Sequence, residues 1–296
     1  MKIITGLTIL FTGISSYVFT QAFSDLHPQK VGSVQLYYSQ QIKEDLTFYG
    51  SFLDQANAYF SDVFELPIQQ VNLLALHPED WENYAYPGLI YGMPHFKKDV
   101  KAIIIASEDN EFWKSQLPEV SKLPSPFKEL MMQTYTVPNG HLSARNFFDL
   151  LSIHELAHLW SAYGNLFNQR LWLEEVFCNL ALHTFIAEER GEWLGSLEVL
   201  PSVHANHPEK TMYYTSLASF EQYYYKIGME VPYNYGWYQF RFHFSARQLY
   251  NTGGPKVLKK LWDFLQNYTE KLSDEELIVK LSEDVHPYFR SIIEEW

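Results

Sequence analysis

One cysteine in 296 residues leaves no partner for an intramolecular disulfide, so packing, hydrogen bonding or a bound ion must hold this fold together. Basic residues are scarce as well. The 22 Lys and Arg stand against 35 Asp and Glu, a formal net charge of −13 with no basic run. That removes the clustered cations a phosphate backbone demands, and with them nucleic acid as a partner. Glycine and proline number 14 each, and no internal repeat or low-complexity tract occurs, which argues against fibrous, solenoid and linker-like chains. Long apolar runs are missing too: the stretch from Ile3 to Phe11 is broken by Thr and Gly and is short for a bilayer span. What is plentiful is core material. At 47% hydrophobic and 17% aromatic, the chain can bury a large interior as one unit of two lobes.

Met1-Lys2, the apolar stretch behind it and Thr20-Gln21-Ala22 as a small-residue cleavage site predict a signal peptide over residues 1–22 and a mature unit over 23–296. The expected location is secreted or periplasmic, without stable membrane association after cleavage. An uncleaved anchor is the alternative.

Hydrophobic periodicity predicts a helix over residues 41–64, and strands over 71–76 and 100–105. Pro118, Pro124, Pro126 and Pro138 mark 117–140 as a loop-rich linker. Further on, 143–164, 237–250, 254–267 and 273–283 read as helices, the last opening on a capping box in Ser273 and Glu276. The fold class is therefore α+β, with an α/β lobe over about 30–140 and a helical lobe over about 141–296.

The densest chemistry lies in His154-Glu155-Leu156-Ala157-His158. Histidines four residues apart stack one turn above each other, so both imidazoles reach one ion while Glu155 faces the water bound to it. A zinc ion with an open position needs a third protein ligand. Trp172-Leu173-Glu174-Glu175-Val176-Phe177 offers two, after an interval long enough for a turn and a second helix. Glu175 is favoured, because Asn179 lies one turn further along its face and could orient a bound imidazole. Glu174 is then a solvated or outer carboxylate.

HELAHLW followed by WLEEVFCN resembles the H-E-x-x-H plus W-L-x-E-G-F-A signature of the gluzincin metallopeptidases, most closely the M1 aminopeptidase and leukotriene hydrolase family. Val231-Pro232-Tyr233-Asn234-Tyr235-Gly236 is similar to the V-x-Y-x-K-G segment that carries that family's catalytic tyrosine. The resemblance implies a thermolysin-like catalytic core, with a small mixed β-sheet lobe followed by a mostly helical one. It also implies one Zn²⁺ per chain on His154, His158 and Glu175, Glu155 as the base, Tyr233 as oxyanion donor, and a peptide or protein substrate. Two departures stand out. The interval between His158 and Glu175 is shorter than the family's, and Gly92-Met93-Pro94-His95 lacks the Glu of the G-x-M-E-N amine anchor. That segment reads as an edge strand lining the cleft or as a surface turn. A non-peptidase zinc hydrolase and an inactive peptide-binding protein on the same scaffold are the alternatives.

Three further readings concern residues outside the motif. Cys178 is a small buried packing residue. His204 and His207, without a carboxylate at ligand spacing, are loop residues. The aromatics at Tyr213-Tyr214, Tyr223 to Tyr225 and Tyr233 to Tyr238 are core groups or cleft walls.

Overall fold

A computed structural model describes residues 22–206 and 212–296. Residues 1–21, on which the signal-peptide reading rests, and His207 lie outside the described residues. The protein is α+β, built on a five-stranded mixed sheet with helices dominating the rest of the chain.

The sheet forms from β1 (His27–Val31), β2 (Val34–Tyr38), β3 (Val71–Leu76), β4 (His95–Lys97) and β5 (Ala102–Ala106), in the spatial order β1-β2-β3-β5-β4. β2, β3 and β5 run parallel at its centre, while β1 and β4 pair antiparallel on the two edges. The centre is parallel because α1 (Thr47–Phe64) crosses over between β2 and β3. Ala102, Ile103, Ile104, Ile105 and Ala106 are all buried, the continuous apolar run of a strand covered on both faces. The β1–β2 hairpin, unread in the sequence, turns on Gly32 at φ +55. Any side chain there would strike Asp54, whose Oδ1 accepts from the Ser33 backbone N–H at 2.7 Å and from the Ser33 hydroxyl at 2.6 Å. The strand expected over 100–105 begins two residues late, because Lys101 turns the chain with φ +48.

The remaining helices are α2 (Pro78–Tyr84), α3 (Glu111–Ser115), α4 (Ser125–Tyr135), α5 (Arg145–Tyr163), α6 (Leu171–Glu189), α7 (Leu194–Asn206), α8 (Leu217–Glu230), α9 (Pro232–Gly253), α10 (Lys256–Asn267), α11 (Asp274–Lys280) and α12 (Tyr288–Glu294). The Ser273–Glu276 capping box opens α11 as expected. Three expectations need correction, the first being the helix read over 41–64, which begins only at Thr47. The segment over 117–140 is not a bare linker, since Pro124 and Pro126 flank the start of α4, where a missing N–H costs nothing. His204 is no loop residue either: it is buried within α7, its ring stacked on Phe240 with centroids 4.3 Å apart. Among the described residues no helix is long and apolar enough to cross a membrane.

α5 lies between the sheet and α6, touching β4 and β5 on one side and α1 on another. The Trp160 indole N–H donates to Asn57 Oδ1 at 3.0 Å, fixing α5 against α1. Leu156, Ala157, Trp160, Leu173, Val176 and Phe177 are fully buried between these layers. At about 1.5–3 kcal/mol for each large apolar side chain, their burial holds the two helices in fixed register. Both helices are buried round most of their girth, which marks them as the spine of the molecule.

Candidate metal centre

On α5, His154 and His158 sit one turn apart and project toward α6, where Glu175 occupies the second turn. Their ligand-type atoms converge. His154 Nε2 lies 3.2 Å from His158 Nε2 and 3.1 Å from Glu175 Oε2, and His158 Nε2 lies 3.8 Å from the same oxygen. Three atoms held about 2.0–2.1 Å from a tetrahedral zinc would be roughly 3.3 Å apart, so these spacings fit the edges of such a site. His154 and Glu175 are buried, and His158 is nearly so.

The protonation pattern completes the donor set. His158 Nδ1 is 3.2 Å from Glu174 Oε1, an acceptor, so Nδ1 carries a proton and Nε2 is the nitrogen that could offer a lone pair to an ion. Burial would raise the Glu175 carboxyl, but the two imidazoles hold it well below the ordinary range, so it is ionised. Its oxygens are pinned from outside as well: the Tyr224 hydroxyl donates to Oε1 at 2.7 Å and Gln239 Nε2 to Oε2 at 2.8 Å. Cys178 joins the group, its sulfur and the two imidazoles placing ligand atoms within 4.8 Å of one another. This buried His-His-Cys group could hold a metal ion. Burial pushes the Cys178 thiol up to about 12, so Glu175 is the readier anion of the two candidates.

Glu155 borders the same cluster. Burial raises its carboxyl, partly offset by the neighbouring imidazoles, and the Phe96 backbone N–H on β4 donates to it. β4 is the end strand of the sheet, so the Gly92-Met93-Pro94-His95 segment does lead into an edge strand beside the cluster.

The structure thus brings His154, Glu155, His158 and Glu175 together, and it places Tyr233 elsewhere. The Tyr233 ring faces His204, centroids 6.4 Å apart. Tyr235 looks onto the cluster beside Tyr224: burial, then the charges of Glu175 and Glu155, raise its hydroxyl well above the usual range, and it hydrogen-bonds Tyr224. The reason is helical period. Pro232 starts α9, so positions 233 and 235 lie about 200° apart and cannot face the same way. Asn179 also differs from expectation. Its side chain meets neither cluster histidine; Nδ2 donates to the Glu175 carbonyl at 2.9 Å and to Gln239 Oε1 at 3.1 Å, and Oδ1 accepts from His243 Nδ1 at 3.0 Å.

Tyr224, Tyr235, Gln239 and His243 had no site role of their own in the sequence reading, the two tyrosines standing only as core groups or cleft walls, and Cys178, read as a packing residue, belongs instead to the group that could hold a metal ion. A signal for three of them existed: 235, 239 and 243 recur every four residues, a polar stripe on one face of α9. Beside the cluster opens a pocket lined by Phe112, Phe147, Phe148, Leu151 and Phe240, with His154, Glu155 and Tyr235 at its polar end. No known protein family matches the chain, and no curated protein does, so the meaning of this centre is read from its own chemistry.

Proposed function

We propose that this protein is a zinc-dependent peptidase of the gluzincin type, with a thermolysin-like core. The observation that carries the reading is the convergence of His154 Nε2, His158 Nε2 and Glu175 Oε2 beside a buried Glu155. Zinc held by these three side chains would supply a Lewis acid and a water of lowered pKa. Glu155, whose carboxyl is raised by burial, accepts the proton of the attacking water and returns it to the departing amine. Tyr235 keeps its proton across the neutral range and donates to the developing oxyanion, the role that the family resemblance implied for Tyr233. Tyr224 and Gln239 hold the Glu175 carboxylate in place, and Glu174 orients His158. An extended peptide laid along the free edge of β4 brings its backbone past Glu155. The N-terminal pattern supports action outside the cytoplasm.

Zinc content of the purified chain tests this. Stoichiometric zinc that is lost in His158→Ala and Glu175→Ala and kept in Glu174→Ala supports the three-ligand centre, and peptide-library cleavage then tests the activity. The proximity of Cys178 favours a second reading, a non-catalytic metal on His154, His158 and Cys178. That reading requires zinc to survive Glu175→Ala and to be lost in Cys178→Ser. Absence of zinc from the wild-type protein after reconstitution would overturn both.

A further inference from the structure

Asn179, which the sequence offers as an orienter of a bound imidazole, is used differently. It follows Glu175 by one turn on α6, and facing the two on α9 stand Gln239 and His243, again one turn apart. The two pairs interlock as a ladder between the helices. Gln239 Nε2 donates to Glu175 Oε2 at 2.8 Å, Asn179 Nδ2 donates to Gln239 Oε1 at 3.1 Å, and Asn179 Oδ1 lies 3.0 Å from His243 Nδ1. Glu175, Asn179 and His243 are all buried, so these bonds meet little competition from water.

The polarity of the ladder is fixed by groups that can only accept. The Glu175 carboxylate is one, and the Glu175 backbone carbonyl, which takes an Asn179 Nδ2 hydrogen at 2.9 Å, is the other. Turning the Asn179 amide over would set its oxygen against that carbonyl. Nδ2 therefore spends both hydrogens on Glu175 and Gln239, Oδ1 faces His243, and His243 Nδ1 carries the proton and donates. Every N–H then points the same way, from His243 through Asn179 and Gln239 to the carboxylate, and bonds aligned head to tail reinforce one another. The His243 ring is held in turn by packing against Phe147 and His183, centroids 6.3 and 6.1 Å away, and its one hydrogen bond among the described residues goes to Asn179. Without that donor Asn179 Oδ1 is a buried acceptor with nothing to bind, and such a group rearranges rather than stay unpaired. Gln239 then loses its hold, and Glu175 Oε2 is free to leave the point where it meets His154 and His158.

We infer that His243 is a positioning residue of the metal centre: acting through Asn179 and Gln239, it sets the Glu175 carboxylate where that group ligates. The inference rests on the metal site of the proposed function, and its test separates the two. His243→Leu and His243→Asn both remove the ring, but the asparagine amide stands equally far from the backbone as Nδ1 and can donate to Asn179. Zinc affinity of the full-length chain is measured by competition with a chelator, with denaturant unfolding beside it. His243→Leu should weaken zinc about tenfold, and His243→Asn should recover most of that loss, by more than any difference in their unfolding accounts for. In a Gln239→Leu background His243→Leu should add nothing, because the link is already cut. A second readout needs no metal. In the zinc-free chain the side-chain amide of Gln239, identified by NMR through its loss in Gln239→Leu, should exchange slowly with solvent in the wild type and in His243→Asn, and fast in His243→Leu. Unchanged zinc affinity in His243→Leu, an equal loss in both His243 variants, losses that add in the double variant, or a Gln239 amide indifferent to residue 243 would overturn the inference. A wild type that takes up no zinc while the amide responds as expected sinks the metal reading and leaves the positioning of Glu175 standing. Zinc bound alike by the wild type and both His243 variants does the reverse.

Discussion

Helix α5 carries two polar clusters barely two turns apart, one half-buried and one buried, and they are built on opposite principles. Near its start, Arg145 donates to the Tyr49 hydroxyl at 3.0 Å and to the Ser107 carbonyl at 2.9 Å; its Nε lies 3.5 Å from Asp149 Oδ2, which accepts from Tyr49 at 2.9 Å. Cation, anion and hydroxyl complete one another, and the cluster joins α5 to α1 and the end of β5 with nothing left over. In the middle of the helix, His154, His158 and Glu175 turn two ring nitrogens and a carboxylate oxygen toward a common point, and the other partners of Glu175 are a phenol and an amide rather than a lysine or arginine. The first arrangement is a strut; the second is a group that could hold a cation from outside. Beyond their different burial, what sets them apart is the balance of charge among the partners.

The comparison can be broken at either end. Glu155→Gln should give the largest effect, a loss of about 10⁴-fold in peptide kcat with zinc content unchanged, since the amide keeps the shape of the base and cannot take a proton. Full turnover in that variant would remove Glu155 from the chemistry. At the strut, burial raises Asp149 from 3.8 to about 7. Its folded value exceeds its unfolded one, so the stability it contributes is present in full below the unfolded value and is lost as pH rises through 7, by something on the order of 4 kcal/mol. Denaturant unfolding of wild type and Asp149→Asn across that window should show the wild type's advantage shrinking with pH. A constant offset would assign the titration to another group.

Tyr235→Phe should lower kcat by roughly 10²-fold to 10³-fold with little change in KM, the mark of a donor used mainly in the transition state. Tyr233→Phe, two residues away on the opposite face of α9, should stay within about threefold, because a 200° separation keeps its hydroxyl from the cluster. Reversal of these two results would return the oxyanion role to Tyr233. Smallest of the catalytic-side effects, Glu174→Gln should weaken zinc binding about 10-fold to 100-fold without abolishing it, read by competition with a chelator. Unchanged affinity would mean that the Glu174 contact with His158 does no orienting.

How much of this was legible depended on how locally each part was encoded. HELAH announces itself, because a pair of histidines one turn apart fixes its own geometry once the segment is helical. The strand over Val71–Leu76 and the capping box at Ser273 and Glu276 were equally local, and both stand where expected. The hairpin of β1 and β2 escaped because its pairing depends on Asp54, far along the chain, closing the turn at Ser33. The prolines before α4 were mistaken for breakers because proline ends a helix from inside and starts one from its first turn, and only the following residues decide which. Among the tyrosines, composition was no guide in a chain that holds 21 of them.

By itself, then, the sequence determined the HELAH helix, its glutamate, the acidic pair on the next helix and the α+β class, all set by periods of two and 3.6 residues that operate within one element. Tertiary structure alone decided that Glu175 points inward, since that follows from how α6 lies across α5. It likewise decided that Tyr235 rather than Tyr233 meets the cluster, and that Gln239 and Tyr224 clamp the carboxylate. These choices are made where helices from distant parts of the chain pack together, and rotation of a helix about its own axis is fixed by what it packs against rather than by the order of its residues.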